Sequence, residues 1–186
     1  CAGGITPWGS WLTCEESVLR ADGRINKDHG YIFEVPATAT GPVDPVALTA
    51  MGRFNHEAAC VDPATGIVYL TEDRENGLLY RFVPRFPGRL AEGGLLQALA
   101  LDGVADSRNW DSISLHTGRP VAGRWVTLDN PEAPEEDLRA RGAVLGATLF
   151  ARGEGIWMGE GEFYFACTSG GAVRQGQVFR LKPSVH

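Results

Sequence analysis

No uncharged apolar run in these 186 residues approaches the roughly 18 that a membrane-spanning helix requires, so no membrane span is expected. Positive charge is short. Seventeen Lys and Arg face 23 Asp and Glu, a formal charge of −6, which argues against a general affinity for nucleic acid. Cysteine is scarce, and Cys1, Cys14, Cys60 and Cys167 form neither a Cys-x-x-Cys pair nor a zinc spacing. A chain of this length can rely on its core, so a disulfide framework is not expected; Cys60 and Cys167 read as small buried hydrophobes. There is no initiator Met, signal peptide or twin-arginine sequence. The chain opens at Cys1 inside a motif and stops at His186 just after a strand pattern, and a fragment of a longer protein is the expectation.

Familiar catalytic signatures are also missing. No Gly-x-Ser-x-Gly elbow, P-loop, dinucleotide fingerprint or EF-hand loop occurs. His56-Glu57-Ala58-Ala59-Cys60 begins like a zinc-protease helix, but Cys60 stands where the second His belongs. His29, His116 and His186 have no partner that the sequence assigns.

What the chain does have is one unit written three times. Setting Gly9 over Gly66 aligns GSWLTCEE with GIVYLTED without a gap, and GEFYFACT from Gly161 is a third copy. Each is rich in apolar, aromatic and β-branched residues and predicts a strand. A further strand follows each: GYIFEV from Gly30, GLLYRFV from Gly77 and GQVFRL from Gly176, closed by Pro36, Pro84 and Pro183. A shorter strand precedes each, seen in Glu57–Val61 and Glu154–Met158, with Cys1–Ile5 remaining of the first. Candidate outer strands are Val46–Met51 and Arg124–Leu128. The stretch 85–150 reads as a long insertion that holds the rest of the second unit; GLLQALALDG suits a strand or a helical turn, and Pro134–Arg141 a short helix. The fold class expected is all-β, a partial β-propeller of about three blades from a six-bladed ring, in one incomplete domain spanning 1–186. Its blade units are about 1–52, 53–130 and 150–186. Three blades do not close a ring, and the missing blades of the parent chain are then expected partners.

Antiparallel pairing sets the start of one strand beside the end of the next. Glu57 and Glu154 lie at such starts. Cys14, Glu15, Glu16, Glu72 and Asp73 lie at the matching ends, so rotation of blades about an axis would deliver all of them to one mouth. Crowded carboxylates repel one another, and bound cations are the usual remedy. Oxygen ligands suit Ca²⁺ or Fe³⁺, and a Cys14 thiolate favours a transition metal. Arg152, two residues before Glu154, would point the same way along an extended strand and could hold a phosphate oxygen bidentately.

At CAGGITPWGSWLTCEE the sequence resembles the PhoX alkaline phosphatase family of bacteria, and the resemblance continues through HGYIFEV, AMGRFNHEAACVDPATGIVYLTEDRENGLLYRFVP, ARGEGIW and GQVFRLKP. It implies a six-bladed propeller exported by the twin-arginine pathway to the periplasm or beyond. It also implies ferric iron and calcium as cofactors and a small-molecule phosphate monoester as substrate. Carried over by motif, Cys14 would bind iron, Glu72 and Glu154 would bind metal, and Arg152 would be the catalytic contact to phosphate. Glu15, Glu16, Glu57 and Asp73 join the metal set from repeat geometry. Two alternatives stand beside this reading: a calcium-dependent propeller lactonase or esterase, which needs no thiolate, and a non-catalytic binding propeller.

Overall fold

In the computed structural model, which describes residues 2–184, eleven strands form three antiparallel sheets. Cys1 and His186, both named above, lie outside the described residues. The first sheet has the order β1 (Gly3–Ile5), β2 (Ser10–Cys14), β3 (Ile32–Pro36). The second runs in chain order through β4 (His56–Val61), β5 (Val68–Glu72), β6 (Leu79–Pro84), β7 (Gly94–Leu101) and β8 (Gly123–Leu128). The third contains β9 (Gly153–Gly159), β10 (Glu162–Cys167) and β11 (Gln177–Leu181). The protein is therefore mostly β, with one short helix, α1 (Leu138–Val144), and no sheet closes on itself among the described residues. GLLQALALDG supplies β7, and the insertion thus donates two strands to the middle sheet.

The sheets lie side by side through their first strands: β1 packs on β4, and β4 and β5 pack on β9. The first of these contacts demands a glycine. A Cβ at Gly4 would sit 1.8 Å from the Ala59 carbonyl oxygen, so any side chain would push β1 off β4. Alternation then distributes the core. Val68 and Leu70 of β5 face the first sheet, joined by Leu12, Ile32, Tyr80 and Phe82; Tyr69 faces the third, joined by Phe163, Phe165 and Ile156. The middle sheet is covered on both faces, and all of β4 and β5 is buried. The outer sheets are covered on one face only, which leaves Trp11, Tyr164 and Val178 exposed.

Two expectations change. Val46–Met51 is not a strand. Ala47 makes one bridge to Phe33 and a 3₁₀ turn follows over Thr49–Met51. Pro42 and Pro45 cannot donate to a ladder, and Leu48 and Met51 both turn into the core. The helix expected over Pro134–Arg141 starts four residues later, at Leu138. The Asp137 carboxylate, at its cap position, accepts from Arg141 Nε at 2.9 Å rather than capping the helix.

Candidate metal and phosphate site

The chain segments at the open ends of the three hairpins are stitched together by their backbones. His56 N donates to Glu15 O at 3.1 Å, Asp73 N to Asn55 O at 3.1 Å, and Arg152 N to Arg74 O at 2.8 Å. Side chains reinforce this: Asn55 Nδ2 donates to Glu16 O, and Arg74 Nε donates to Asn55 Oδ1 at 2.7 Å. Thr71 Oγ1 donates to Glu154 O at 2.6 Å and accepts from Ala58 N at 3.0 Å. The ends of β2 and β5 and the starts of β4 and β9 therefore form one rim.

Register explains which acids reach it. His56 pairs with Glu72 and Ala59 with Leu70, so Glu57 and Ala58 together oppose Thr71 alone. Gly153 pairs with Cys167 and Ile156 with Phe165, so Glu154 and Gly155 oppose Ala166 alone. These two hairpins carry the same one-residue bulge at the same place, and a bulge of this kind re-aims a side chain. Glu57 and Glu154 are the residues re-aimed. Glu16 lies within hydrogen-bonding reach of Asp73 and Glu57. Burial raises the Glu154 carboxyl above its ordinary range, and the charges of Asp73 and Glu57 raise it further against the opposing Arg152. Glu16, Glu57, Asp73 and Glu154 thus share one small volume.

Arg152 faces them. Its Nε and Nη2 donate to the two Asp73 carboxylate oxygens at 2.8 Å each, and Nη2 lies 3.2 Å from Glu154 Oε1. This pairing holds Arg152 protonated. The sequence argument for Arg152 rested on an extended strand, and that part fails: φ at Arg152 is +55°, in the left-handed region. It still meets Glu154 because it sits just before β9, where the turn brings its side chain back over Asp73. A non-glycine residue in this region carries backbone strain, which clusters at functional sites.

Cys14 lies beneath the cluster. It is 5% exposed, and burial, then the Glu57 charge, push its thiol up to about 12. His56 is wholly buried and pushed down to about 3 by that burial, with Nε2 donating to Gly52 O at 3.0 Å. It is a neutral structural group.

Two of the acids named from the sequence do not join the cluster. Glu15 spends both oxygens elsewhere: Oε1 is 2.7 Å from His29 Nδ1, and Oε2 accepts from Gly30 N at 2.9 Å and Tyr31 N at 3.1 Å. This also gives His29 its partner. Glu72 Oε2 accepts from Leu78 N at 3.0 Å and Tyr80 Oη at 2.9 Å, and the residue is wholly buried. Tyr31 and Leu78 are repeat equivalents, so Glu15 and Glu72 perform the same task, pinning the strand that follows each hairpin turn. Glu16 and Asp73, one residue further on, face the rim.

Beside the rim lies a cleft of about 470 Å³, lined by Asp73, Arg74, Glu75, Asn76, Arg139 and Arg152. Asn55, Arg74 and Arg139 had no place in the sequence reading. Arg74 was one residue beyond a motif already singled out, whereas Arg139 comes from the insertion and has no repeat counterpart.

The donor chemistry of Glu16, Glu57, Asp73 and Glu154 fits a hard cation: they are oxygen donors with excess negative charge. With Arg152 paired to Asp73 and Glu154, no three His, Cys, Asp or Glu side chains among the described residues converge as ligands of one ion. The cluster thus has the composition of a metal site and the geometry of a salt bridge.

Comparison with known proteins places the chain in a class of hydrolases. A family model for alkaline phosphatase PhoX matches residues 1–186, the whole chain. The chain belongs to the PhoX alkaline phosphatase family, a family of metal-dependent phosphatases. No curated protein and no solved structure matches it.

Proposed function

We propose that this chain forms the metal- and phosphate-binding rim of a phosphomonoesterase, with its three sheets as blades of a six-bladed β-propeller. The blade units would be about 1–52, 53–130 and 150–186. The observation that carries the proposal is the bulge repeated in two adjacent hairpins, which brings Glu57 and Glu154 beside Asp73 and Glu16 at one rim. The exposed apolar outer faces of the first and third sheets suit neighbouring blades. Ferric iron and calcium are the cations proposed, and a periplasmic or secreted location goes with the family's export route.

Glu57, Asp73 and Glu154, with Glu16, would hold the cations. Cys14 would be a thiolate ligand to iron; its thiol, pushed up to about 12 by burial, would release its proton to solvent as the cation binds. When bound, the cations would supply Lewis-acid stabilisation of the phosphoryl oxygens. The chain's own contribution is positioning. Asp73 and Glu154 fix the Arg152 fork at the edge of the cleft, and a guanidinium released from Asp73 presents two parallel N–H donors to a phosphate. The strained Arg152 backbone is locked by its N–H bond to Arg74 O and by Thr168 N donating to its carbonyl, so the base that carries the fork is fixed.

Metal analysis combined with a phosphate-monoester assay on the protein tests this. Iron with calcium, and hydrolysis that is lost on chelation, is expected. Calcium alone with lactone or carboxyl-ester turnover would instead identify the lactonase alternative, and neither metal nor turnover would identify a binding propeller.

A further inference from the structure

We infer that Arg139, carried by α1 in the insertion, is a second phosphate-binding residue, and that the buried carboxylate of Glu72 positions it; this rests on the phosphatase reading above. Arg139 lines the same cleft as Arg152 and Arg74. Its Nη1 stands 3.6 Å from Glu72 Oε1, within Coulomb reach but beyond hydrogen-bond length. Among the described residues Arg139 donates no hydrogen bond, so its whole fork is unspent.

Glu72 supplies the independent sign that the arrangement is built. It is wholly buried, its Oε2 is fixed by Leu78 N and Tyr80 Oη, and its Oε1 accepts no hydrogen bond. A carboxylate so placed is expensive unless a cation answers it. Arg139, whose side chain is 23% exposed, is that cation. Attraction at 3.6 Å holds the guanidinium over the cleft without consuming its donors.

The chemistry that suits this cleft is a compact dianion. Among the described residues the Arg74 side chain donates from Nε alone, to Asn55, so its terminal nitrogens also remain available, and Asn76 adds an amide. Asp73, which pairs with Arg152, and Glu75 also line the cleft, so its three arginines exceed its two acids. A phosphate group held between Arg152 on one wall and Arg139 with Arg74 on the other would leave its ester group directed to the open side. Glu15 offers a contrast. Its carboxylate, at the same position in the first hairpin, pairs with His29, and among the described residues no arginine forms an ion pair with it.

The test uses calorimetric titration with inorganic phosphate, together with kcat and KM for p-nitrophenyl phosphate and metal content. It compares the parent protein with Arg139→Ala, Arg139→Lys and Glu72→Gln. Losing a charge-assisted fork should weaken phosphate binding and raise KM by about tenfold or more, with metal content unchanged. Arg139→Lys should recover part of the loss, because it keeps the charge without the fork. Glu72→Gln, which keeps an acceptor for Tyr80, should raise KM more than it lowers kcat. Phosphate affinity and KM of Arg139→Ala within twofold of a parent that hydrolyses the ester would overturn this inference and leave the phosphatase reading standing. A parent that neither binds phosphate nor hydrolyses the ester would overturn both.

Discussion

Arg152 and Asp73 offer the sharpest energetic test of the rim, because one is half-open and the other is not. The Asp73 side chain is 8% exposed and Arg152 is 42% exposed, and two bonds of 2.8 Å join them. A charge-assisted hydrogen bond contributes about 1.5–3 kcal/mol when well buried. Solvent access to Arg152 screens that, so a coupling of about 1–2 kcal/mol is expected for the pair. The single substitutions should be unequal. Arg152→Ala strands the Asp73 carboxylate beside Glu154 and should cost roughly 2–3 kcal/mol. Asp73→Asn leaves a guanidinium that can turn to Glu154, 3.2 Å away, and relieves one acid from a crowded cluster, so about 1 kcal/mol is expected. Urea unfolding of the parent, both singles and the double variant, at low salt without added metal, gives the cycle. Strict additivity, or an Asp73→Asn penalty as large as that of Arg152→Ala, would refute the picture of a half-buried clamp restraining a surplus of negative charge.

Two further outcomes follow from buried groups. Tyr80→Phe removes the only hydroxyl bonded to Glu72 Oε2 while Tyr80 and Glu72 are both wholly buried; denaturant titration should show a loss of about 1–3 kcal/mol, and an unchanged midpoint would place Glu72 elsewhere. Burial pushes the Cys60 and Cys167 thiols up to about 11 and about 12, so both should resist a thiol reagent at pH 8 and react once the chain is unfolded; rapid labelling of either in folded protein would contradict the core described above.

Much of the architecture was legible because the repeat is strong. The three aligned segments became β2, β5 and β10, and the following strands ended at or near their prolines. The repeat alignment also makes Glu15 equivalent to Glu72 and Glu16 to Asp73. The sequence sets all four at the rim, whereas the structure bonds Glu15 and Glu72 to the strand that follows and leaves Glu16 and Asp73 at the rim. The hydrogen bonds of Glu15 and Glu72 mark the member of each pair that turns away. The bulges that aim Glu57 and Glu154 leave no mark in composition; they appear only when the two pairing registers are laid side by side. Arg139 was illegible for a different reason. It belongs to an insertion without a repeat partner, and only the packing of α1 over the middle sheet sets it above Glu72.

The central claim concerns where cations sit, and anomalous diffraction from crystals of the metal-loaded protein measures that directly. The account predicts peaks within bonding distance of Glu57, Asp73 and Glu154, with the Arg152 fork withdrawn from Asp73. Peaks at Glu15 or Glu72, or at any place away from the rim, with the Arg152–Asp73 pair intact, would contradict it.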